Sequence, residues 1–268
     1  MSDTRKRPLA SITGASSGIG LTFARKLAGR GCDLLLVARR RDKLEDAARA
    51  IEAKYPVSAE ILVADLTNDA DLRGVEERIA ASASLEYLVN NAGFGTAGYF
   101  HALPLDGQDR MHRLHVMAPM RLMHAALAGM VARERGNIIN VASVSGFGQN
   151  PGSVSYSATK TWMISFTEGL YMELQAVRSP VRVQALCPGF TMSEFHDTMG
   201  FDRGGIPAAM WMSADEVVDT SLRALDRGRL VVVPGLRYRM LTRFMRTLPG
   251  PVYRKLAIVY ARKTGRAR

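Results

Sequence analysis

A glycine-rich segment near the N-terminus constrains the fold of this 268-residue chain more than any other feature. An apolar run at residues 9–12 precedes Thr13-Gly14-Ala15-Ser16-Ser17-Gly18-Ile19-Gly20, and apolar residues then recur at helical spacing. Strand, glycine turn and helix follow in this order where a parallel sheet binds a dinucleotide. Gly14 permits the tight turn, Gly18 lets the backbone approach a pyrophosphate, and Gly20 allows close helix–sheet packing. The segment therefore predicts a dinucleotide site over the helix N-terminus.

Apolar runs of strand length alternate with helical patterns along the rest of the chain. This alternation predicts β-α-β units and a mostly parallel, doubly wound α/β sheet of the Rossmann type. The length and the 47% content of hydrophobic residues suit one domain with a large core. We expect this catalytic domain to span residues 1–235. The later predicted strands lie at residues 34–37, 61–63, 87–89, 137–141, 181–186 and 230–233.

Three arginines after the second predicted strand indicate the type of dinucleotide. NAD-binding proteins usually place an acidic residue here to bind the ribose 2′-hydroxyl, whereas an arginine pairs with the 2′-phosphate of NADP. The sequence here is Ala38-Arg39-Arg40-Arg41, without a carboxylate. A solvated basic loop is the alternative for Arg40 and Arg41, but Arg39 lies at the strand tip. The sequence predicts NADP.

Tyr156 and Lys160 lie four residues apart in a helical pattern, and Ser143 precedes the tyrosine by thirteen residues. The spacing places the phenol and the ammonium on one helix face. A nearby cation favours the phenolate and lowers the tyrosine pKa, so the pair suits proton exchange with a carbonyl or alcohol. The alternative is an ordinary half-exposed helix face, because tyrosine and lysine are common there.

Taken with Asn90-Asn91-Ala92-Gly93 and Cys187-Pro188-Gly189, these motifs resemble the short-chain dehydrogenases/reductases over about residues 8 to 235. The resemblance implies that Tyr156 is the catalytic acid and base. It implies that Lys160 binds the nicotinamide ribose and lowers the tyrosine pKa, and that Ser143 hydrogen-bonds the substrate oxygen.

The resemblance also implies which residues bind the cofactor. Asp65 would accept from the adenine amino group. From their position alone, Ser16 and Ser17 could donate to phosphate oxygens, or favour a turn and cap the first helix, and both interpretations can hold together. The full expected set is Gly14, Ser16, Ser17, Gly18, Ile19 and Gly20; Arg39 and Arg40; Asp65 and Leu66; Asn91, Ala92 and Gly93 along the adenosine ribose; Tyr156 and Lys160; and Pro188, Gly189 and Thr191 over the nicotinamide carboxamide.

His115 departs from the family pattern, which usually has an asparagine there that holds a water in a proton relay to the lysine. A histidine both donates and accepts hydrogen bonds, and its ordinary pKa of about 6.5 would let it titrate in the working range. The other reading is that the backbone carbonyl alone matters, so that the side chain is free to vary. We include His115 among the candidate catalytic residues.

Cysteine and histidine usage indicates neither a disulfide framework nor a metal site. Cys32 and Cys187 lie in or beside predicted strands, where buried thiols are common. The five histidines lack the spacing of zinc ligands. The N-terminus has no apolar signal core, so we expect a cytoplasmic protein.

The formal net charge of +11 belongs to the C-terminal end of the chain. Residues 227–268 hold twelve arginines and lysines and no acidic residue, whereas residues 1–226 hold 24 basic and 25 acidic residues. Apolar residues alternate with these cations, and Pro249-Gly250-Pro251 predicts a break between two short helices. We treat residues 236–268 as a basic amphipathic extension.

Three interpretations of the extension remain open. Its apolar residues could pack on the domain beside the substrate mouth while the arginines are solvated. It could lie on an anionic membrane surface, which would give the protein a peripheral membrane contact. It could attract an acidic partner such as an acyl-carrier protein. Nucleic acid is not expected, because no readout motif is present.

These features predict an NADP(H)-dependent oxidoreductase that interconverts a small-molecule carbonyl and an alcohol. Methionines and aromatics between residues 192 and 212 fall where the family places its substrate lid. They suggest a lipophilic ketone, aldehyde or acyl group, and ordinary packing of a helical pair is the other interpretation. Reduction of a 3-oxoacyl thioester and a non-catalytic dinucleotide-binding sensor or scaffold are the alternatives. The resemblance implies a homodimer or homotetramer, and the extension favours the dimer. The lid residues are Met192, Phe195, Met199, Phe201, Met210, Trp211 and Met212, with Phe94, Phe147 and Gln149 placed near them.

Overall fold

Seven strands form one parallel sheet in the computed structural model, which describes residues 7–194 and 207–264. Helices cover both faces of the sheet, so its strands are apolar; residues 34–37, for example, are at most 1% exposed. The predicted α/β fold is confirmed. In chain order the strands are β1 (Leu9–Thr13), β2 (Asp33–Ala38), β3 (Ala59–Val63), β4 (Leu85–Asn90), β5 (Asn137–Val141), β6 (Arg182–Leu186) and β7 (Val231–Val232).

Helices connect the strands in the order that the sequence pattern predicts. The side chain of Ser213 accepts from Glu216 N at 3.1 Å and caps the helix before β7. A five-residue turn of π geometry, Arg113–Met117, joins α4 to α5. The helices are α1 (Gly18–Ala28), α2 (Arg41–Lys54), α3 (Asp69–Ala80), α4 (Leu105–His112), α5 (Ala118–Ala132), α6 (Val154–Ala176), α7 (Ala214–Asp226), α8 (Leu236–Thr247) and α9 (Gly250–Thr264).

The strand order β3-β2-β1-β4-β5-β6-β7 reverses direction between β1 and β4. The loops that leave these two strands therefore diverge and leave a crevice at the carboxyl edge of the sheet. The glycine turn follows β1 and the segment Asn91-Ala92-Gly93 follows β4. The topology thus brings two motifs that are 70 residues or more apart in the chain to one place.

Buried apolar side chains form two layers, one on each face of the sheet. Buried residues of α1, α2 and α7 pack on one face, and those of α3, α5 and α6 pack on the other. Phe23 and Leu27 are central to the first layer, and Leu122 and Met130 belong to the second. The site at the carboxyl edge therefore rests on a rigid three-layer body.

The helical stretch 105–132 is long and apolar enough to span a membrane by length and composition. It is also a core helix of this fold, because Met111, Leu122, Met123 and Met130 are at most 1% exposed. Burial against the sheet accounts for its apolar character.

The described part of the C-terminal extension folds as the two predicted helices, α8 and α9, with the break at Leu248-Pro249. Tyr238 of α8 is 3% exposed; its hydroxyl accepts from Phe190 N at 3.0 Å and donates to Met210 O at 2.7 Å. Tyr253 of α9 donates to Gln149 O at 3.1 Å. The inner face of the extension therefore packs beside the loops that follow β5 and β6. The division at residue 235 stays a prediction.

Gly20 offers a test of the packing between α1 and the crevice. A Cβ built there would lie 2.3 Å from Gly14 O and 2.5 Å from Asn91 Nδ2. We expect Gly20→Ala to destabilise the fold by about 1–3 kcal/mol, because the backbone must move. Thermal unfolding of the purified protein measures the effect.

Gly74→Ala is the matched control, since a Cβ at Gly74 of α3 would have no neighbour within 4 Å. Alanine is favoured over glycine within a helix, so this variant should be about 0.5–1 kcal/mol more stable. Equal melting temperatures for the two variants would contradict the close contact at Gly20.

Candidate active site

Thr13 and Asn91 hold the two sides of the crevice together. The Thr13 hydroxyl donates to Val89 O at 3.3 Å and accepts from the N–H groups of Asn91 and Ala92 at 2.9 and 3.0 Å. The Asn91 amide donates back to the carbonyl of Thr13 at 2.9 Å. The positive φ of +66° at Gly14 completes the tight turn, as predicted. The glycine turn and the β4 loop therefore form one rigid edge.

Ser16, Ser17 and Arg40 gather at the N-terminus of α1. Arg40 Nη2 donates to Ser16 Oγ at 3.0 Å, to Ser17 Oγ at 3.2 Å and to Glu194 Oε2 at 2.8 Å. The side chain of Ser17 makes no capping hydrogen bond to α1, so the capping interpretation is wrong for this residue. Hydroxyls, a guanidinium and the N-terminus of an 11-residue helix are the donors that a phosphate binds.

The acidic residue Glu194 also belongs to this cluster, and the sequence did not predict it there. The hydrogen bonds from Arg40 and Ser17 lower the pKa of Glu194, so it is ionised at neutral pH. A carboxylate and a phosphate compete for the same guanidinium. A phosphate bound at this position would therefore have to share the Arg40 guanidinium with Glu194. Otherwise the Glu194 side chain would have to move away from Arg40.

Arg39 and Asp65 face each other at the ends of β2 and β3. Arg39 Nη1 lies 4.0 Å from Asp65 Oδ2, and the arginine side chain is 63% exposed. Burial alone would raise the pKa of Asp65, but hydrogen bonds from the N–H and hydroxyl of Thr67 outweigh it and lower the pKa. The Arg39 side chain is therefore largely exposed to solvent beside an ionised Asp65. Leu66 next to Asp65 is 5% exposed and belongs to the core.

Ser143, Tyr156 and Lys160 meet at the carboxyl end of β5. Ser143 is 7% exposed and precedes a 3₁₀ turn, Val144–Phe147, whose Ser145 N–H donates to the Ser143 hydroxyl at 3.1 Å. Ser143 and Tyr156 are hydrogen-bonded. Lys160 is 5% exposed; its Nζ donates to Val141 O at 2.8 Å and lies 5.7 Å from the centroid of the Tyr156 ring.

Burial controls the protonation of this cluster. It raises the pKa of Tyr156 to about 12, and the hydrogen bond to Ser143 offsets the shift only in part. Burial also lowers the pKa of Lys160 to about 8. The shift of the tyrosine is opposite to the one that the sequence predicts, because the loss of water outweighs an ammonium that is directed at Val141 O. The protein thus holds a neutral phenol at neutral pH.

His115 lies fully buried in the π turn and takes part in two hydrogen bonds. Phe94 N–H donates to Nε2 at 3.2 Å, so the proton is on Nδ1, which donates to Thr159 Oγ1 at 3.0 Å. The Thr159 hydroxyl then donates to Tyr156 O at 2.8 Å. Burial and the Lys160 charge hold the pKa of His115 well below 6.5. The expected titration in the working range is wrong, and the side chain ties the β4 loop to α6.

The His115 ring leaves no room for a side chain at Gly93. A Cβ at Gly93 would lie 2.7 Å from His115 Nε2, which is closer than any side chain tolerates. The imidazole therefore fills the space behind the β4 loop and fixes its path. His115 is therefore placed to hold the β4 loop against α6.

The segment after β6 closes the far side of the cluster. Val144 N–H donates to Pro188 O at 3.0 Å, which joins the Ser143 turn to residues 187–189. The Tyr238 ring covers Gly189, where a Cβ would lie 2.0 Å from ring carbon Cζ. Thr191 is 3% exposed and pairs with Met212. These contacts hold the segment that the resemblance places over the nicotinamide.

Part of the predicted lid is visible beside this segment. Phe190 and Trp211 pack with ring centroids 5.5 Å apart, and Met192 is 58% exposed. Phe195, Met199 and Phe201 lie outside the described residues. Phe94 lies 6.1 Å from the His115 ring, whereas Phe147 and Gln149 contact Arg246 and Tyr253 of the extension.

Four residues shape the site without a signal in the local sequence motifs. Thr13 stands inside the glycine motif, but its hydroxyl acts across the sheet. Thr159, Glu194 and Tyr238 lie 44 to 154 residues from the partners that give them their roles. Such contacts depend on topology, which a local motif does not contain.

Comparison with known proteins agrees with this architecture. Residues 8–202 match the family model described as short chain dehydrogenase. Among solved structures, the chain is similar to a short-chain dehydrogenase from Sphingobium yanoikuyae in complex with NADPH, with 37% identity, a TM-score of 0.81 and coverage of 91% of this chain and 97% of that one.

Two further similarities bear on substrate class. The bulky-bulky ketone specific alcohol dehydrogenase from Comamonas testosteroni is 34% identical, with a TM-score of 0.78 and coverage of 91% of this chain and 95% of that one. The granaticin polyketide synthase putative ketoacyl reductase 1 from Streptomyces violaceoruber is 32% identical over 235 residues, which are 85% of this chain and 83% of that protein. From the extent of these matches and the fold that carries them, the chain belongs to the short-chain dehydrogenase family of oxidoreductases.

Proposed function

We propose that this protein is an NADP(H)-dependent reductase of lipophilic ketones, aldehydes or acyl groups. One observation carries the proposal: a neutral phenol, a buried serine hydroxyl and a buried ammonium lie together at the carboxyl edge, beside the glycine turn. Two of the similar structures are named for NADPH and for bulky ketones. The same site also supports the reverse reaction.

Ser143, Tyr156 and Lys160 would each have a separate role in carbonyl reduction. When bound, the cofactor supplies a hydride to the carbonyl carbon. Ser143 donates a hydrogen bond to the carbonyl oxygen, where negative charge develops. Tyr156 gives its phenolic proton to that oxygen, so that an alcohol forms and the phenolate takes up a proton from solvent. Lys160 is the cation that favours this phenolate.

At neutral pH the free site holds the protonated phenol that reduction requires. A tyrosine with a pKa of about 12 is a proton donor at neutral pH, whereas oxidation of an alcohol begins with a base. For oxidation the phenolate must form against the cost of burial. The ammonium of Lys160, close to the Tyr156 ring, reduces this cost when it is protonated.

The choice of NADP rests on charge at the end of β2. Arg39 is exposed there, and Arg40 already binds the hydroxyls of Ser16 and Ser17. A 2′-phosphate needs cationic donors of this kind, and an acidic residue in place of Arg39 would repel it. The negative charge of Glu194 opposes this attraction. The net preference for NADP over NAD therefore depends on whether Glu194 stays hydrogen-bonded to Arg40.

Tyr156→Phe tests the assignment of the proton donor. The variant keeps the ring and its packing but removes the hydroxyl, so we expect turnover to fall by at least about 10³-fold with NADPH binding almost unchanged. Tyr171→Phe on the same helix is the control and should keep full activity. NADPH oxidation and cofactor fluorescence measure the two quantities. Undiminished reduction by the Tyr156→Phe variant would refute the role.

The pH dependence of kcat/KM for NADPH tests the role of Lys160. This ratio reports groups of the free enzyme, and Lys160 with a pKa of about 8 loses its charge as pH rises. We expect a plateau below pH 8 and a fall above it, since the neutral amine no longer attracts the cofactor. His115 adds no step between pH 6 and 8, because its pKa lies well below that range.

Two variants separate these contributions. Lys160→Met should remove the fall above pH 8 and lower the plateau, and His115→Asn should leave the shape of the profile unchanged. A fall that persists in Lys160→Met would assign it to another group.

Reduction of a 3-oxoacyl thioester is the second candidate function. The similarity to a ketoacyl reductase favours it, as does the cationic extension beside the mouth of the site. We expect kcat/KM to be higher for a free hydrophobic ketone than for a β-ketoacyl thioester. The opposite order would replace the first candidate with the second. Silence of NADPH oxidation across a broad carbonyl panel would support a non-catalytic role instead.

Assembly as a homodimer or homotetramer stays a prediction. The resemblance places the interface on the two long helices, here α5 and α6. Sedimentation velocity of the full chain measures the assembly.

A further inference from the structure

The C-terminal extension exposes many large hydrophobic residues on its outer face. Half of the large hydrophobic residues that are exposed lie on α8 and α9, although these helices contain only 27 of the described residues. Scattered apolar side chains are normal on a protein surface, but a concentration of this kind marks a contact site. The nine residues are Leu236, Met240, Leu241, Phe244, Val252, Leu256, Ile258, Val259 and Tyr260.

This exposed surface is distinct from the face that packs on the domain. In α8 the inner face is formed by Tyr238 and Thr242, which are buried. Met240 and Phe244 repeat at the same spacing of four residues but lie on another side of the helix. They are 64% and 58% exposed. The helix therefore carries a second apolar stripe that the fold does not use.

In α9 the same division occurs. Ala261 is 4% exposed and Tyr253 donates to Gln149 O, which defines the inner face. Val252, Leu256 and Val259 form an outer stripe at spacings of four and three residues, and each is at least 42% exposed. Two consecutive helices thus present apolar stripes away from the body of the protein.

Cations border these stripes, and neither helix carries an acidic residue. Arg239 and Arg243 of α8 are exposed, and Lys255 and Arg262 of α9 are exposed as well. Residues 227–268 contain no aspartate or glutamate. Long basic side chains beside an apolar stripe can keep their charged ends in the headgroup layer while the stripe enters the acyl region.

A second copy of the chain fits this surface poorly. A two-fold contact would place the same residues of both protomers together, and so would oppose cation to cation. A neutral apolar partner would leave those cations without counter-charges. An anionic lipid surface satisfies both properties, because it offers negative headgroups above an apolar layer.

We propose that α8 and α9 form a monotopic membrane-binding surface for anionic phospholipid bilayers. The inner face of the same helices holds the segment after β6 through Tyr238, so a bound bilayer would lie about one helix diameter from that segment, on the far side of the extension. Lipophilic carbonyl compounds dissolved in the bilayer would then be concentrated close to the protein that reduces them. This last consequence rests on the proposed function; the membrane contact does not.

Vesicle sedimentation with the full-length protein tests the proposal. We expect binding to phosphatidylcholine vesicles that contain phosphatidylglycerol, and much weaker binding to phosphatidylcholine alone or at high salt. Arg239→Glu/Arg243→Glu should lower the partition coefficient about 30-fold or more, since each cation near the surface contributes about fivefold. Met240→Gln/Phe244→Gln should lower it tenfold or more, because the stripe no longer enters the acyl layer.

Matched controls place the same changes elsewhere. Met172→Gln/Val177→Gln alters two apolar residues of 65% and 67% exposure at the end of α6. Arg73→Glu/Arg223→Glu makes the same change of net charge on α3 and α7. Both controls should bind vesicles like the unaltered protein, and all four variants should keep its melting temperature.

Several results would overturn the proposal. They are no sedimentation of the unaltered protein with anionic vesicles, equal losses in the controls, or a loss with the arginine pair but none with the Met240 and Phe244 pair. Loss of a dimer in Met240→Gln/Phe244→Gln, measured by sedimentation velocity without vesicles, would assign the surface to a second copy. None of these readings uses enzyme activity, so a failure of the proposed function is recognised separately.

Discussion

The hydroxyl of Thr13 is the contact on which the rest of the site depends. Strand order reverses between β1 and β4, and the two loops that leave these strands diverge. Thr13 donates to the last part of β4 and accepts from two N–H groups of the following loop. The side-chain amide of Asn91 donates a hydrogen bond to the carbonyl of Thr13. Without these bonds the backbone groups on both sides of the crevice would need other partners, and its width would not be fixed.

From this point a chain of hydrogen bonds reaches the reactive tyrosine. The β4 loop continues to Phe94, whose N–H binds His115; the imidazole binds Thr159, and Thr159 binds the carbonyl of Tyr156. Each member is positioned by the previous one, so the glycine turn and the phenol share one framework. A histidine serves here because both of its ring nitrogens are used, one as donor and one as acceptor. Its burial beside Lys160 also explains why it stays neutral.

The sequence was sufficient to predict the sheet. The roles of the site residues stay predictions, and their electrostatics did not follow from the sequence. Apolar runs predicted the strands because both faces of a parallel sheet are buried, which leaves a strong local pattern. β7 is the weakest case: its run of four residues yields a strand of two. Tyr156 and Lys160 were found by spacing. The direction of the pKa shift of Tyr156 could not be predicted from this spacing, because the burial of a side chain is a property of the folded chain. Glu194 was missed for a related reason, since its partner Arg40 lies 154 residues away.

The extension shows how one helix can satisfy two environments. Tyr238 must be buried, because its hydroxyl bonds both Phe190 and Met210 and its ring lies over Gly189. That requirement fixes the rotation of α8 about its axis. With the rotation fixed, Met240 and Phe244 have to face outward, whatever the cost of exposing them to water. A helix that served only to cover the site would carry polar residues at those positions. The proposed membrane contact gives the apolar outer stripe a role that packing on the domain does not supply, and the absence of acidic residues over the last 42 positions suits a surface of negative charge.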